Sequence, residues 1–302
     1  MKKLFAMSLA IALLFSLAAW GGGEAKLCSA DVLAYSAPAD EAEAASQGKL
    51  EPVPFEELTV VDNEECVIKI TGVDPDNMWG YTLKVYVENK SADKTYMFSV
   101  PSAAVNGVES DPFYAEEVAP GKKSNGELSF SDDLAAYGID TYTDIELSFR
   151  VYDSEDWFAD AVAEETVHVY PYGEENAQQF VREAQAADTV LVDNDDICVI
   201  VTGCEEDEFW GYSVNLYLVN KTEKDLMFSA DDVSVNGFMA DPYWAATVTA
   251  GKVAFTSMSW FDSTFEENGI TAVEEIEMTF RVYDSEDWFS DDLYNEVITL
   301  KP

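Results

Sequence analysis

The sequence predicts an all-β protein in which one antiparallel β-sandwich unit is used twice, and three observations carry that reading. The residues FRVYDSEDWF at Phe149–Phe158 return letter for letter at Phe280–Phe289, 131 positions later. A match of that length marks one folding unit copied in tandem. Ile145, Leu147, Phe149 and Val151 alternate with Glu146, Ser148, Arg150 and Tyr152, the period of a strand with one buried face. Turn signals recur at short intervals with almost no helical periodicity between them, as a sandwich of short strands requires.

The chain has 302 residues, a formal charge of −42, and 48% hydrophobic residues. That apolar content builds cores in spite of the charge, and the length suits about two domains. A surface this acidic repels nucleic-acid phosphates and anionic lipid headgroups, so neither is expected as a direct partner; it attracts metal cations and basic proteins. Cys28, Cys66, Cys198 and Cys204 do not fall at matching places in the two copies: Cys66 aligns with Ile197, and Cys198 with Val67. A disulfide intrinsic to the unit would occur twice, so none is expected.

Taken in order, Lys2-Lys3 and the apolar run Leu4–Trp20 make residues 1–20 a secretory signal segment. Left uncleaved, the same run is a single anchor of borderline length. Residues 21–57, rich in Gly, Ala, Ser and Glu with Pro38, Pro52 and Pro54, read as a flexible tether.

The first unit covers 58–171. Cys66, Ile68 and Ile70 alternate up to Gly72, and Tyr81, Leu83, Val85 and Val87 alternate up to Asn89-Lys90. Short strands are expected at Tyr96–Val100, Ala104–Asn106, Phe113–Val118, Glu127–Phe130, Ile145–Val151 and Thr166–Tyr170. Asn106-Gly107 and Ala119-Pro120-Gly121-Lys122 supply turns, and Asp132–Gly138 one short helical turn. Ala177, Phe180, Val181 and Ala184 fall at helical spacing, so the linker 172–190 is expected to hold a short amphipathic helix over Glu174–Ala187. The second unit, 191–302, replays the first. Val192-Asp193-Asn194 matches Val61-Asp62-Asn63, Trp210-Gly211-Tyr212 matches Trp79-Gly80-Tyr81, Asn220-Lys221 matches Asn89-Lys90, Val235-Asn236-Gly237 matches Val105-Asn106-Gly107, and Gly251-Lys252 matches Gly121-Lys122. Core positions keep their class while outward positions drift.

Two resemblances extend this reading. Leu17-Ala18-Ala19-Trp20-Gly21 resembles a bacterial lipoprotein signal in which the lipid-bearing cysteine is replaced by Trp20. An indole forms no thioether, so lipid attachment is not expected. The order Asn-Lys, Val-Asn-Gly, Pro/Ala-Gly-Lys and Gly-Ile before the Ile-Glu strand resembles the immunoglobulin-like repeats of Gram-positive surface lipoproteins. That resemblance implies two tandem immunoglobulin-like antiparallel β-sandwich domains, exported to a Gram-positive type cell envelope and reaching a membrane only through the N-terminal segment. It implies a surface-exposed, non-enzymatic module, and the expected partner is a protein or glycan at the cell surface.

For chemistry, His168 is the only histidine, and the chain lacks GxSxG, HExxH and glycine-rich phosphate loops; His168 reads as a surface strand residue and no catalytic residue is assigned. Asp153, Glu155 and Asp156, with Asp160, recur as Asp284, Glu286 and Asp287, with Asp291. Clustered turn carboxylates with backbone carbonyls suit calcium, the one candidate cofactor, while the bland alternative is a solvated acidic turn. Asp74 and Asp76 lie in a turn that lacks EF-hand spacing. Trp79, Trp157, Trp210 and Trp288 read either as stacking platforms for a ligand or as core filler, as do Trp244 and Trp260.

Overall fold

The structure is a computed structural model, and it describes residues 50–130, 134–156, 158–207, 211–287 and 289–302. The expected signal segment, most of the expected tether, Trp157, Trp210 and Trp288 lie outside the described residues. The chain is all-β: alternation runs through nearly every element, and the strands pair into antiparallel sheets. Among the described residues no helix is long and apolar enough to cross a membrane.

The first half holds β1 (Leu58–Asp62), β2 (Cys66–Asp74), β3 (Tyr81–Asn89), β4 (Tyr96–Val105), β5 (Val108–Ser110), β6 (Ala115–Val118), β7 (Lys123–Phe130), β8 (Ile145–Asp153) and β9 (Ala163–Val169). The second holds β10 (Thr189–Asp193), β11 (Ile197–Asp207), β12 (Gly211–Asn220), β13 (Leu226–Val235), β14 (Phe238–Met239), β15 (Ala246–Val248), β16 (Val253–Trp260), α1 (Asp262–Asn268), β17 (Ile276–Asp284) and β18 (Tyr294–Leu300). One sheet runs β1-β2-β3-β7, and its counterpart β10-β11-β12-β16 has the same order. The partner sheets are β5-β4-β8-β9 with β6 on β4, and β14-β13-β17-β18 with β15 on β13.

Each half buries its own core between its two sheets. Ile68, Leu83, Val85, Phe98, Leu128, Phe130, Leu147 and Phe149 fill the first; Val199, Leu216, Leu218, Phe228, Trp260, Met278 and Phe280 fill the second. Phe149 and Phe280, the repeated aromatics, are 2% and 0% exposed. The expected strands Tyr96–Val100 and Ala104–Asn106 form the single β4, because a bulge between Ser99 and Ser102 carries the ladder past Pro101. Asn106 (φ 51°) with Gly107 (φ 81°), and Asn236 (φ 51°) with Gly237 (φ 81°), make the two-residue turns with both central residues left-handed that close β4–β5 and β13–β14.

Each half has an upper end, where β3 or β12 finishes and the β8–β9 or β17–β18 turn lies, and a lower end carrying the Asn-Gly turn. At the junction the lower end of the first half meets the upper end of the second. β5 pairs in parallel with β16 through Val108 and Val253, so the two sheets run on as one nine-stranded sheet.

Two expectations are corrected. The linker forms only one 3-10 turn, Glu174–Asn176, and no helix over Glu174–Ala187. Its backbone donors are spent on the first half instead: the Phe180 N–H donates to the Asn106 carbonyl at 2.7 Å and the Gln178 N–H to the Thr143 hydroxyl at 3.0 Å. Val181, on the expected apolar face, is 67% exposed. A helix this short is marginal without packing, and only Phe180 is packed. Cys198 is disulfide-bonded, against the expectation of no disulfide; its partner lies outside the described residues. As that expectation reasoned, the bond is not a feature of the repeat, for Cys198 has Val67 as its counterpart.

Candidate functional site

Six outward-facing positions on the β2-β3-β7 sheet, and the same six on β11-β12-β16, show where the two halves differ. In the second half the cross-strand rows are Cys198–Val219–Val253 and Ile200–Tyr217–Phe255. These residues form a small core of their own with Phe180 from the linker. The Phe255 ring stacks on Tyr137 of the first half at 3.8 Å between centroids, with Tyr217 at 5.0 Å and Phe180 at 5.8 Å. The Arg182 guanidinium lies over the Tyr217 ring at 5.5 Å and is held by Asp188 through two hydrogen bonds of 2.7 Å.

In the first half the same rows read Val67–Glu88–Lys123 and Lys69–Tyr86–Asn125. Four of the six positions are polar here, three of them charged, and none of those four is buried. Val67, Lys69, Tyr86, Glu88 and Asn125 line a shallow cleft of about 570 Å³ with Glu57, Asp62, Thr71 and Lys90. Its charges are internally matched: Lys69 with Glu57 at 2.7 Å, Lys90 with Asp62 at 2.6 Å and Lys123 with Glu88 at 3.1 Å, while the Tyr86 hydroxyl donates to Glu88 at 2.8 Å. Lys90 holds the Asp62 carboxyl below its usual value, and the hydrogen bonds from Tyr86 and Lys123 do the same for Glu88. The cleft therefore presents fixed, ionised, hydrogen-bonding groups around one tyrosine ring, an arrangement that suits a polar ligand and offers little to an apolar one.

Polar side chains complete the junction. The Glu109 carboxylate accepts from the Thr249 N–H at 2.7 Å and from its hydroxyl at 2.6 Å, and burial pushes its carboxyl up. Lys252 pairs with Glu146 at 2.6 Å.

The acidic turns are built by their own first residues. Asp153 ends β8, accepts from the Glu155 N–H at 3.1 Å and pairs with Lys94 at 3.3 Å. Asp284 repeats this, accepting from the Glu286 N–H at 3.0 Å and pairing with Lys224 at 2.7 Å, which holds its carboxyl below the usual value. Asp156 and Asp287 accept from the N–H groups of Phe158 and Phe289, each at 3.2 Å. Among the described residues these carboxylates do not converge into a group of three that could hold a metal ion. Phe158 and Phe289 stand 99% and 101% exposed, two identical aromatic tips that alternation does not mark; their identity within an otherwise drifting surface is the available signal.

Of the tryptophans, Trp79 is 66% exposed and so does not fill the core. It sits at the lower end in the β2–β3 turn, opposite the end that carries the acidic turn. Trp260 is a core residue whose Nε1 donates to the Ala240 carbonyl at 2.7 Å, and Trp244 donates to the Thr256 hydroxyl at 3.1 Å beside Phe280. His168 is half-exposed on β9, its Nδ1 2.7 Å from Asp144 and its Nε2 3.6 Å from Glu146. Burial pushes the Cys66 thiol up to about 11, which leaves it unreactive.

No protein-family model matches the chain. No curated protein matches it either. Among solved structures it is similar to a red sea bream transglutaminase, at 12% identity and a TM-score of 0.19 over 73% of this chain. The chain spans 28% of that protein's length, and a likeness so slight is no basis for assigning an activity.

Proposed function

We propose that the chain is an exported, cell-envelope protein of Gram-positive type made of two tandem immunoglobulin-like β-sandwich domains, and that it is a non-catalytic module for binding a surface protein or glycan. The observation that carries the reading is the open polar face of the first half. Its counterpart in the second half is consumed by the junction, so the chain keeps one copy of this face free and uses the other to fix the domains relative to each other. Both ring nitrogens of His168 face carboxylates, Asp144 and Glu146, which suits a polar cluster on the β9 face.

The test is retention of the purified chain on isolated envelope polysaccharide and on envelope protein fractions, compared with Tyr86→Ala and Lys69→Ala. Saturable retention lost in both variants supports the reading. Retention unchanged in both, or turnover of a glycan or peptide substrate, overturns it. A second reading, a structural spacer stiffened by calcium at the repeated acidic turns, is favoured by the shared nine-stranded sheet, which suits a rigid rod. Melting in calcium, magnesium and matched sodium chloride decides that point. A shift specific to calcium and lost in Asp156→Asn with Asp287→Asn is required for the spacer.

A further inference from the structure

The lower end of the second half repeats the surface that makes the junction, and it is uncovered. In the first half that surface is β5, whose Val108 is 1% exposed and pairs with Val253. Its counterpart is β14, an edge strand among the described residues. There Phe238 replaces Val108 and Met239 replaces Glu109, 48% and 63% exposed. Two adjacent large apolar side chains on an unpaired edge are what a protein ordinarily covers or blunts with charge.

The surface that β5 docks against also has a free copy. The β16 edge is used; the matching edge, β7 of the first half, ends its sheet unpaired. The ion pair that crosses the junction, Lys252–Glu146, has as its counterparts Lys122 and Glu277. Both are exposed, and neither holds an ion pair among the described residues. The charge match is local to this pair: Lys90, Lys94 and Lys123, which share the upper end of the first half with Lys122, are already held by Asp62, Asp153 and Glu88.

We propose that the lower end of the second half docks on the upper end of the first half of another copy of this chain. β14 would meet the β7 edge and Glu277 would pair with Lys122. The inference rests on the reading that the two halves are copies of one fold. The contact is heterologous, so repetition gives open head-to-tail chains rather than a closed dimer. It is weaker than the internal junction for two stated reasons. The apolar patch around Phe255 is replaced by Lys69, Glu88, Lys123 and Asn125, and no linker holds the partners together. The Val108–Val253 pair becomes Phe238 facing Lys123, an aromatic beside a cation, which still attracts. Association is therefore concentration-dependent, and the exposed Lys122–Glu277 pair makes it sensitive to salt.

The experiment is sedimentation velocity of the full chain from micromolar to millimolar concentration at low and high salt. A weight-average mass that climbs past the dimer at low salt and falls back on adding salt is expected. Lys122→Glu and Glu277→Lys should each weaken association at least about tenfold, close to 1.4 kcal/mol. The double variant, which rebuilds the pair with its charges exchanged, should recover it. Met239→Glu, at an exposed position that the fold does not need, should also weaken it. A chain monomeric at every concentration, or association indifferent to both charge reversals, overturns the inference. Uncoupling of the two halves by substitution at Phe255 is a separate readout, and its absence counts against the internal junction that serves as the template.

Discussion

Replacing Phe255 by Ala removes the ring on which the junction closes. Three aromatic neighbours meet it, Tyr137 at 3.8 Å, Tyr217 at 5.0 Å and Phe180 at 5.8 Å. Aromatic pairs are worth about 0.5–1.5 kcal/mol each beyond the area they bury, and a fully buried Phe→Ala costs about 3–5 kcal/mol. Phe255 is half-buried, so the expected loss is about 2–4 kcal/mol, a factor of roughly 30 to 700 in the equilibrium holding the halves together. Scanning calorimetry should show the single transition of the parent chain separating into two. The lower one should fall by about 8–16 °C if each kcal/mol moves a unit of this size by about 4 °C. Asn125→Ala, at the matching position of the first half, is the control and should shift melting within the ordinary range of a surface change, about ±0.5 kcal/mol. Equal shifts for the two substitutions would refute the packed junction, because the sheets would then present equivalent outer faces.

Two further outcomes are expected. Glu109→Gln keeps the Oε1 acceptor for both Thr249 donors and removes the buried charge; because burial raises the Glu109 carboxyl in the folded state, its contribution is fully favourable below the unfolded value of about 4.3 and is lost as pH rises through the folded value, so the variant should match the parent near pH 4 and melt higher at pH 7–8, and a lower melting point at pH 7–8 would exclude the buried-charge account. Asn220→Ala should cost about 2–4 kcal/mol in urea unfolding, because its Nδ2 donates to the carbonyls of Lys224, Val248 and Thr249 and its Oδ1 accepts from the N–H and hydroxyl of Thr222; a cost under about 1 kcal/mol would show that the loop holds without it.

Alternation made the cores legible. Ile68 and Ile70, Leu83, Val85 and Val87, and Ile145, Leu147, Phe149 and Val151 all face inward as their period demands. The repeat then transferred that assignment to the second half. Asn89-Lys90 and Asn220-Lys221 were read as turns, and each proves to be a staple as well. Lys90 donates to the Asn63 carbonyl and Asp62, and Lys221 to the Asn194 carbonyl and Asp193, so each lysine clamps the hairpin that opens its half. Nothing local in the sequence announces such a contact, since its partners lie 27 positions apart. The linker was misread for the opposite reason. Ala177, Phe180, Val181 and Ala184 carry a helical spacing, yet one anchored aromatic and two backbone hydrogen bonds to the first half outweigh it.

The junction was legible only by comparing the copies with each other. Periodicity places Lys69 and Ile200, Glu88 and Val219, Lys123 and Val253, and Asn125 and Phe255 on outward faces in both halves, and period alone cannot say whether an outward face meets water or protein. Drift at such positions is expected when both copies are solvated, and solvated drift exchanges one polar residue for another. Here all four exchanges run in one direction, polar in the first copy and apolar in the second, within one contiguous patch. Burying them as Lys and Glu would leave charges desolvated, while exposing Ile, Val, Val and Phe together would leave an apolar patch open to water. One copy of the patch must therefore be covered and the other open. The covered copy fixes how the halves are joined; the open one is the polar cleft around Tyr86.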